Sequence, residues 1–168
     1  IEGTGIDKIE DMKGKRVSTG SPGSATEVYA NRVLEAAGLQ HDKDIRKERL
    51  GVAESVNAIK DRKIDAFFWV GGLPTAAVTD LGATPNVKLK ILDIAQLTPK
   101  MNEKWGPLYA ASVIPASTYK GMDHDAKNNS VWNILAVNAS MSDDLAYKIT
   151  KVTMEKRADL ALVHKEAL

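Results

Sequence analysis

The chain has 168 residues, 43% of them hydrophobic and 27% charged, which fits one sizeable globular domain or two small lobes and excludes a disordered or fibrous chain. Its 23 basic and 22 acidic residues leave a formal net charge of +1, without the basic surplus expected of a dedicated nucleic-acid binder or a membrane-surface domain. The lack of cysteine rules out disulfides, thiolate-bound zinc and thiol nucleophiles, and no apolar run approaches the ~18–20 residues that span a bilayer.

In chain order, Lys15-Arg-Val-Ser-Thr19 predicts a short strand, followed by the turn Gly20-Ser-Pro-Gly-Ser24. Val28, Val33, Leu34 and Ala37 give helical spacing from Ala25 to Ala37, with Gly38 placed to stop the helix. Ile45 to Leu50 reads as a charged edge strand and Val52 to Lys60 as a helix with Val56 and Ile59 on one side. The aromatic run Ile64-Asp-Ala-Phe-Phe-Trp-Val70 predicts a strand covered on both faces, with Phe67 and Phe68 in the core. Gly71 and Gly72 end it, and Leu73 to Leu81 reads as a helix with Pro74 in its first turn. Val87 to Ile94 alternates apolar and charged residues as a strand does. This βαβαβαβ order predicts an α/β fold with a mostly parallel sheet flanked by helices.

The pattern then changes. Leu97 to Trp105 predicts a short helix, Leu108 to Tyr119 an edge or crossover strand interrupted by Pro115, Gly121 to Ser130 a loop and Val131 to Val137 a strand. Ser142 is placed to cap a last helix, with Asp143 and Asp144 at its positive end and Leu145, Ile149, Val152 and Leu160 on a buried side.

Two stretches carry binding chemistry. Gly20-Ser-Pro-Gly-Ser-Ala-Thr26 lies between a strand and a helix, where unpaired helix amides, the hydroxyls of Ser21, Ser24 and Thr26, and close approach at Gly23 suit an anion. The same residues also fit an ordinary turn capped by Ser24, and they match neither the Walker nor the Rossmann spacing. Trp69-Val-Gly-Gly-Leu-Pro-Thr75 is the second strand end, offering Gly71, Gly72 and Thr75 for contacts and Trp69 as an aromatic wall. His41, His124 and His164 stand in polar stretches without metal-ligand spacing, and no serine has the G-x-S-x-G setting of a hydrolase nucleophile.

These residues resemble a known family. Asp11-Met-Lys-Gly-Lys-Arg-Val17 with Gly20-Ser-Pro-Gly-Ser-Ala-Thr-Glu27 is similar to the "DLKGKRVSxGxxGSGTE" segment of the solute-binding subunits of TAXI-type TRAP transporters. Val33-Leu-Glu-Ala-Ala-Gly-Leu39, Lys63-Ile-Asp-Ala66, Gly71-Gly-Leu-Pro-Thr-Ala76, Ile114-Pro-Ala-Ser-Thr-Tyr-Lys-Gly121 and Ser142-Asp-Asp-Leu-Ala-Tyr-Lys-Ile-Thr150 resemble further blocks of that family in the same order. Ala25, Ser117 and Lys120 depart from its usual glycine, glycine and proline.

The resemblance implies a type II periplasmic-binding-protein fold lacking the N-terminal part of the first lobe. Residues 11–94 would form the second α/β lobe. Residues 95–168 would form a crossover segment and a C-terminal helix returning to the incomplete first lobe, with self-association through the surface left exposed. It further implies a periplasmic or extracytoplasmic protein that is not an enzyme and needs no cofactor or metal. Such a protein captures a small anionic solute, an amino acid or organic acid such as glutamate, and delivers it to TRAP membrane permease subunits. The residues expected at the solute are Ser21, Ser24, Ala25, Thr26, Trp69, Gly71, Gly72, Thr75 and Tyr119. A sensor domain using the same pocket is the alternative, and an enzyme on the same fold a more distant one.

Overall fold

The computed structural model describes residues 1 and 3–163, with the side chain of Val163 outside that description. The expected residue His164 lies outside the described residues. The described chain separates into two compact units, Ile1–Val131 and Trp132–Leu168.

In the first unit a 3-10 turn at Ile9–Met12 precedes β1 (Arg16–Ser18), α1 (Ala25–Ala36), β2 (Arg46–Glu48), α2 (Val52–Lys60), β3 (Ala66–Phe67) and α3 (Ala76–Ala83). The three strands form a parallel sheet in the order β2-β1-β3, with Val17 opposite Lys47 on one side and Ala66 on the other. The charged β2 is an edge strand, as its sequence predicts: residues at a half-solvated edge can keep their charges in water. The fold is therefore α/β, a parallel sheet flanked by helices.

The two layers follow from side-chain alternation along the strands. Phe68 joins Val17 in a cluster with Tyr29, Ala30, Val33 and Leu34 of α1 and with Met101, whereas Phe67 packs on a second cluster built from Val56, Ile59, Val78, Leu81 and Leu89. Helix α1 thus buries the stripe Tyr29, Ala30, Val33 and Leu34, while Val28, expected on that face, is exposed. Ser18, buried against α2, accepts from Ser55 Oγ at 2.9 Å and exchanges bonds with the Leu50 carbonyl and amide at 3.3 Å, so its hydroxyl is satisfied under the sheet.

Four expected elements differ. Helix α3 starts at Ala76 rather than Leu73, so Pro74 precedes it, and Thr75 is its N-cap residue. Residues 87–94 run outside both sheets: their alternation is real, since Leu89 and Ile94 are buried, but it serves packing, and Lys127 ties them to a strand, its carbonyl accepting from the Ile94 amide at 2.8 Å and its amide donating to Asp93 Oδ1 at 2.8 Å. After a 3-10 turn at Ala95–Leu97 and α4 (Thr98–Trp105), β4 (Tyr109–Ile114) stops before Pro115 and pairs antiparallel with β5 (Ala126–Val131). Part of the expected loop 121–130 is therefore strand, and the expected strand 131–137 is irregular beyond Val131. Polar Lys127, Asn128, Asn129 and Ser130 hide β5 from an alternation test; the ladder to β4 fixes it instead.

The second unit holds α5 (Asp143–Glu155) and α6 (Arg157–Val163). Ser142 caps α5 as expected, its Oγ accepting from the Leu145 amide at 3.3 Å. The last helix is not continuous, because Lys156 interrupts it. On its expected buried side, Leu145, Val152 and Leu160 are exposed. Among the described residues no helix is long and apolar enough to cross a membrane.

The centre of the sheet is tied by an ion pair. Arg16 binds Asp65 through Nε at 3.1 Å and Nη2 at 2.6 Å, and Asp65 also accepts from the Arg16 amide at 2.9 Å. The Arg16 hydrogen bonds hold the Asp65 carboxyl below its ordinary range despite partial burial. A carboxylate with a lowered folded pKa adds stability above its unfolded pKa of about 3.9, and that stability is lost as pH falls through the folded value. Asp65→Asn is therefore expected to melt at a lower temperature than the parent at pH 7, with the difference closing toward pH 3. Thermal melts followed by circular dichroism at several pH values test this; a gap that stays constant with pH would mean that the charge of Asp65 is not its source.

Candidate functional site

Parallel strands bring their following turns to one edge of a sheet, so the turns after β1, β2 and β3 all leave the carboxyl edge, with β1 central. The two expected binding stretches follow β1 and β3 and so belong to this edge.

The first stretch is built around Gly20, buried with φ +101°, where an added Cβ would lie 2.8 Å from both Cβ and Cγ2 of Thr26. That contact folds the turn back on the start of α1. Ser24 caps the helix, its Oγ accepting from the Glu27 amide at 3.2 Å, and its own amide donates to the Ser21 carbonyl at 3.1 Å. The amides of Ala25 and Thr26, first in the helix, have no acceptor among the described residues, and neither has the hydroxyl of Ser21. These three groups, beside an exposed Ala25, are the open donors of the turn.

Sequence reasoning missed the charged pair here. Glu27 folds back beneath the turn, its carboxylate accepting from the Gly23 amide at 2.8 Å and from Arg49 Nε and Nη2 at 2.6 and 3.0 Å. The Arg49 hydrogen bond, then that of Gly23, holds the Glu27 carboxyl below its ordinary range. Glu27 stands at the third position of a helix whose cap is Ser24, a capping-box spacing that could have flagged it; Arg49, 22 residues on, has no local signal.

In the second stretch the donors of Trp69 and Thr75 are engaged, while the amides of Gly71 and Gly72 have no acceptor among the described residues. Trp69 Nε1 donates to Thr75 Oγ1 at 2.8 Å, which in turn donates to the Gly72 carbonyl at 2.8 Å. The Thr75 amide donates to the Tyr119 hydroxyl at 2.9 Å. Tyr119 is buried in the second core cluster, so it braces the turn from behind rather than facing the edge. Trp69 remains 38% exposed and lies over Gly71, where an added Cβ would meet the indole at 2.7 Å. Gly71→Ala is expected to displace the indole and break its bond to Thr75, at little cost in stability because an exposed ring can move. Fluorescence should red-shift relative to the parent; an unchanged spectrum would show that the indole tolerates the methyl group in place.

A cavity of about 250 Å³ lies elsewhere, lined by residues between Gly3 and Asp7, Lys88 and Ile91, and Gly121 and His124, and none of the expected residues lines it. Among the described residues no group of three or more His, Asp or Glu side chains is placed to hold a metal ion.

The model of the NMT1-like family matches residues 2–168, nearly the entire chain. The chain belongs to the NMT1-like family. Members of the NMT1-like family are periplasmic-binding-protein-like, which accords with the parallel sheet and its loaded carboxyl edge and supports a solute-binding role. Among solved structures, the chain is similar to the periplasmic aliphatic sulphonate binding protein SsuA from Escherichia coli, at 30% identity and a TM-score of 0.37. That similarity covers 40% of this NMT1-like chain and 22% of the other.

Proposed function

We propose that the chain is the solute-binding component of a TRAP-type transport system of the TAXI kind, working in the periplasm. It captures a small carboxylate-bearing solute such as glutamate and hands it to membrane permease subunits. The observation that carries this reading is the set of open donors on the β1–α1 turn, Ser21 Oγ with the Ala25 and Thr26 amides, at the carboxyl edge of a parallel sheet. A carboxylate there meets unpaired N–H groups and the positive end of α1. Trp69 supplies an apolar wall from the neighbouring turn, while Gly71, Gly72 and Thr75 shape that wall and Tyr119 braces it. In this proposal residues 11–94 act as one lobe of a clamp and residues 95–168 as the crossover to the other.

The test is the ligand itself. Small molecules released on denaturing the protein purified from its own cells should include an organic or amino acid by mass spectrometry, and calorimetry with that acid should return binding. Release of a neutral or cationic compound, with no heat from glutamate, glutarate or ethanesulfonate, would overturn the reading.

A further inference from the structure

We propose that Arg49, oriented by Glu27, is the residue through which this site selects an oxyanion; the proposal rests on the solute-binding reading. Arg49 directly follows β2, at the same carboxyl edge as the β1 turn. The two turns touch, since an added Cβ on Gly51 would lie 3.2 Å from Ser21 Oγ.

The two members of the pair differ in exposure. The Glu27 side chain is 10% exposed and that of Arg49 is 52% exposed, so the carboxylate is interior and the guanidinium reaches solvent. A guanidinium carries five N–H donors in a rigid planar fork. Glu27 takes the edge formed by Nε and Nη2, and Nη1 has no acceptor among the described residues. The edge formed by Nη1 and Nη2 is oriented by that pairing and holds no second protein acceptor among the described residues, and a second oxyanion fits such an edge with two parallel hydrogen bonds.

The surrounding charges make this fork decisive. Lys47 lies 3.8 Å from Glu27 but also 3.3 Å from Asp42, and Glu54 spends its carboxylate on the Gly51 amide at 2.7 Å. With cations and carboxylates nearly balanced, no strong general field draws an anion to the turn. Glu27 also occupies the Gly23 amide, and Ser24 occupies the Glu27 amide, so the turn offers fewer donors than its glycines and hydroxyls suggest. Directional hydrogen bonds from Arg49 supply the discrimination that the helix end alone lacks.

The experiment is calorimetry on the whole chain with glutamate and glutarate, and with glutaramide as the uncharged counterpart of glutarate. Arg49→Met alone would leave Glu27 interior and unpaired, so it is combined with Glu27→Gln. E27Q/R49M is expected to weaken acid binding by about 10–100-fold, the loss of one or two charge-assisted hydrogen bonds. It should also bind glutarate and glutaramide alike. Arg49→Lys keeps the charge opposite Glu27 but loses the fork, and should fall between parent and double variant. Unchanged acid affinity and unchanged preference for glutarate in R49K, or in a folded E27Q/R49M, would overturn the role of Arg49 and leave the solute-binding reading standing. Failure of the unsubstituted protein to bind any of the acids would overturn both.

Discussion

Gly20→Ala is expected to destabilise the first unit by about 2–5 kcal/mol and to remove solute binding, the largest effect of any methyl group added at the candidate site. Two costs combine. At φ +101° an L side chain is strained, and the new Cβ would sit 2.8 Å from two side-chain atoms of Thr26 and 3.0 Å from the Glu27 amide nitrogen. Thr26 is buried in the first turn of α1, so neither it nor the backbone behind it can swing away as a surface side chain would. Relief requires lifting the turn off the helix, which also moves the Ala25 and Thr26 amides and loosens the Gly23 bond to Glu27. Gly23→Ala is the matched control. Its φ of +73° imposes conformational strain, but nothing lies within 4 Å of the added methyl group, so a cost of about 1–2 kcal/mol is expected. Urea unfolding of both variants separates strain from clash; equal losses would show that the contact with Thr26 relaxes freely.

Asn129→Ala is expected to cost about 2–4 kcal/mol, because it strands a buried hydroxyl. Tyr29 on α1 donates its O–H to Asn129 Oδ1 on β5, and Asn129 Nδ2 reaches Thr98 Oγ1 at 3.4 Å and Met101 Sδ at 3.7 Å. Both Tyr29 and Asn129 are buried. Burial, with the nearby Tyr109 adding to it, pushes the Tyr29 hydroxyl above the ordinary phenol range, so it stays protonated and must donate. This bond fastens the helix that carries the candidate turn to the β4–β5 ribbon. Tyr29→Phe removes the stranded donor, so N129A/Y29F should lose less than the two single losses together. Strict additivity in denaturant unfolding would show that the two side chains act independently.

Much of the first unit was legible in the sequence because its signals are local. A helix period over Ala25 to Ala37, a Ser cap at Ser24 and a charged edge strand each depend on residues within about four positions of one another. The aromatic run Ile64 to Val70 was legible only in part, since its strand is confined to Ala66–Phe67 and forms the other edge of the sheet. Given three such strands with helices between them, parallel pairing and a shared carboxyl edge for the two turns follow from topology. Where local signals misled, packing was the cause. Residues 87–94 alternate like a strand because Leu89 and Ile94 face core, yet they join no ladder. The polar β5 alternates weakly and is a strand because β4 lies beside it.

Composition and periodicity by themselves determined an α/β chain with two glycine-bearing turns after strands, in a sequence without cysteine. The tertiary structure alone decided which donors those turns keep open. Tyr119 meets Thr75 across 44 positions, Arg49 meets Glu27 across 22, and Asn129 meets Tyr29 across 100. Such pairs form only once strand order and register have set the distances, since hydrogen bonds and ion pairs act over a few ångströms in space and leave no period in the chain.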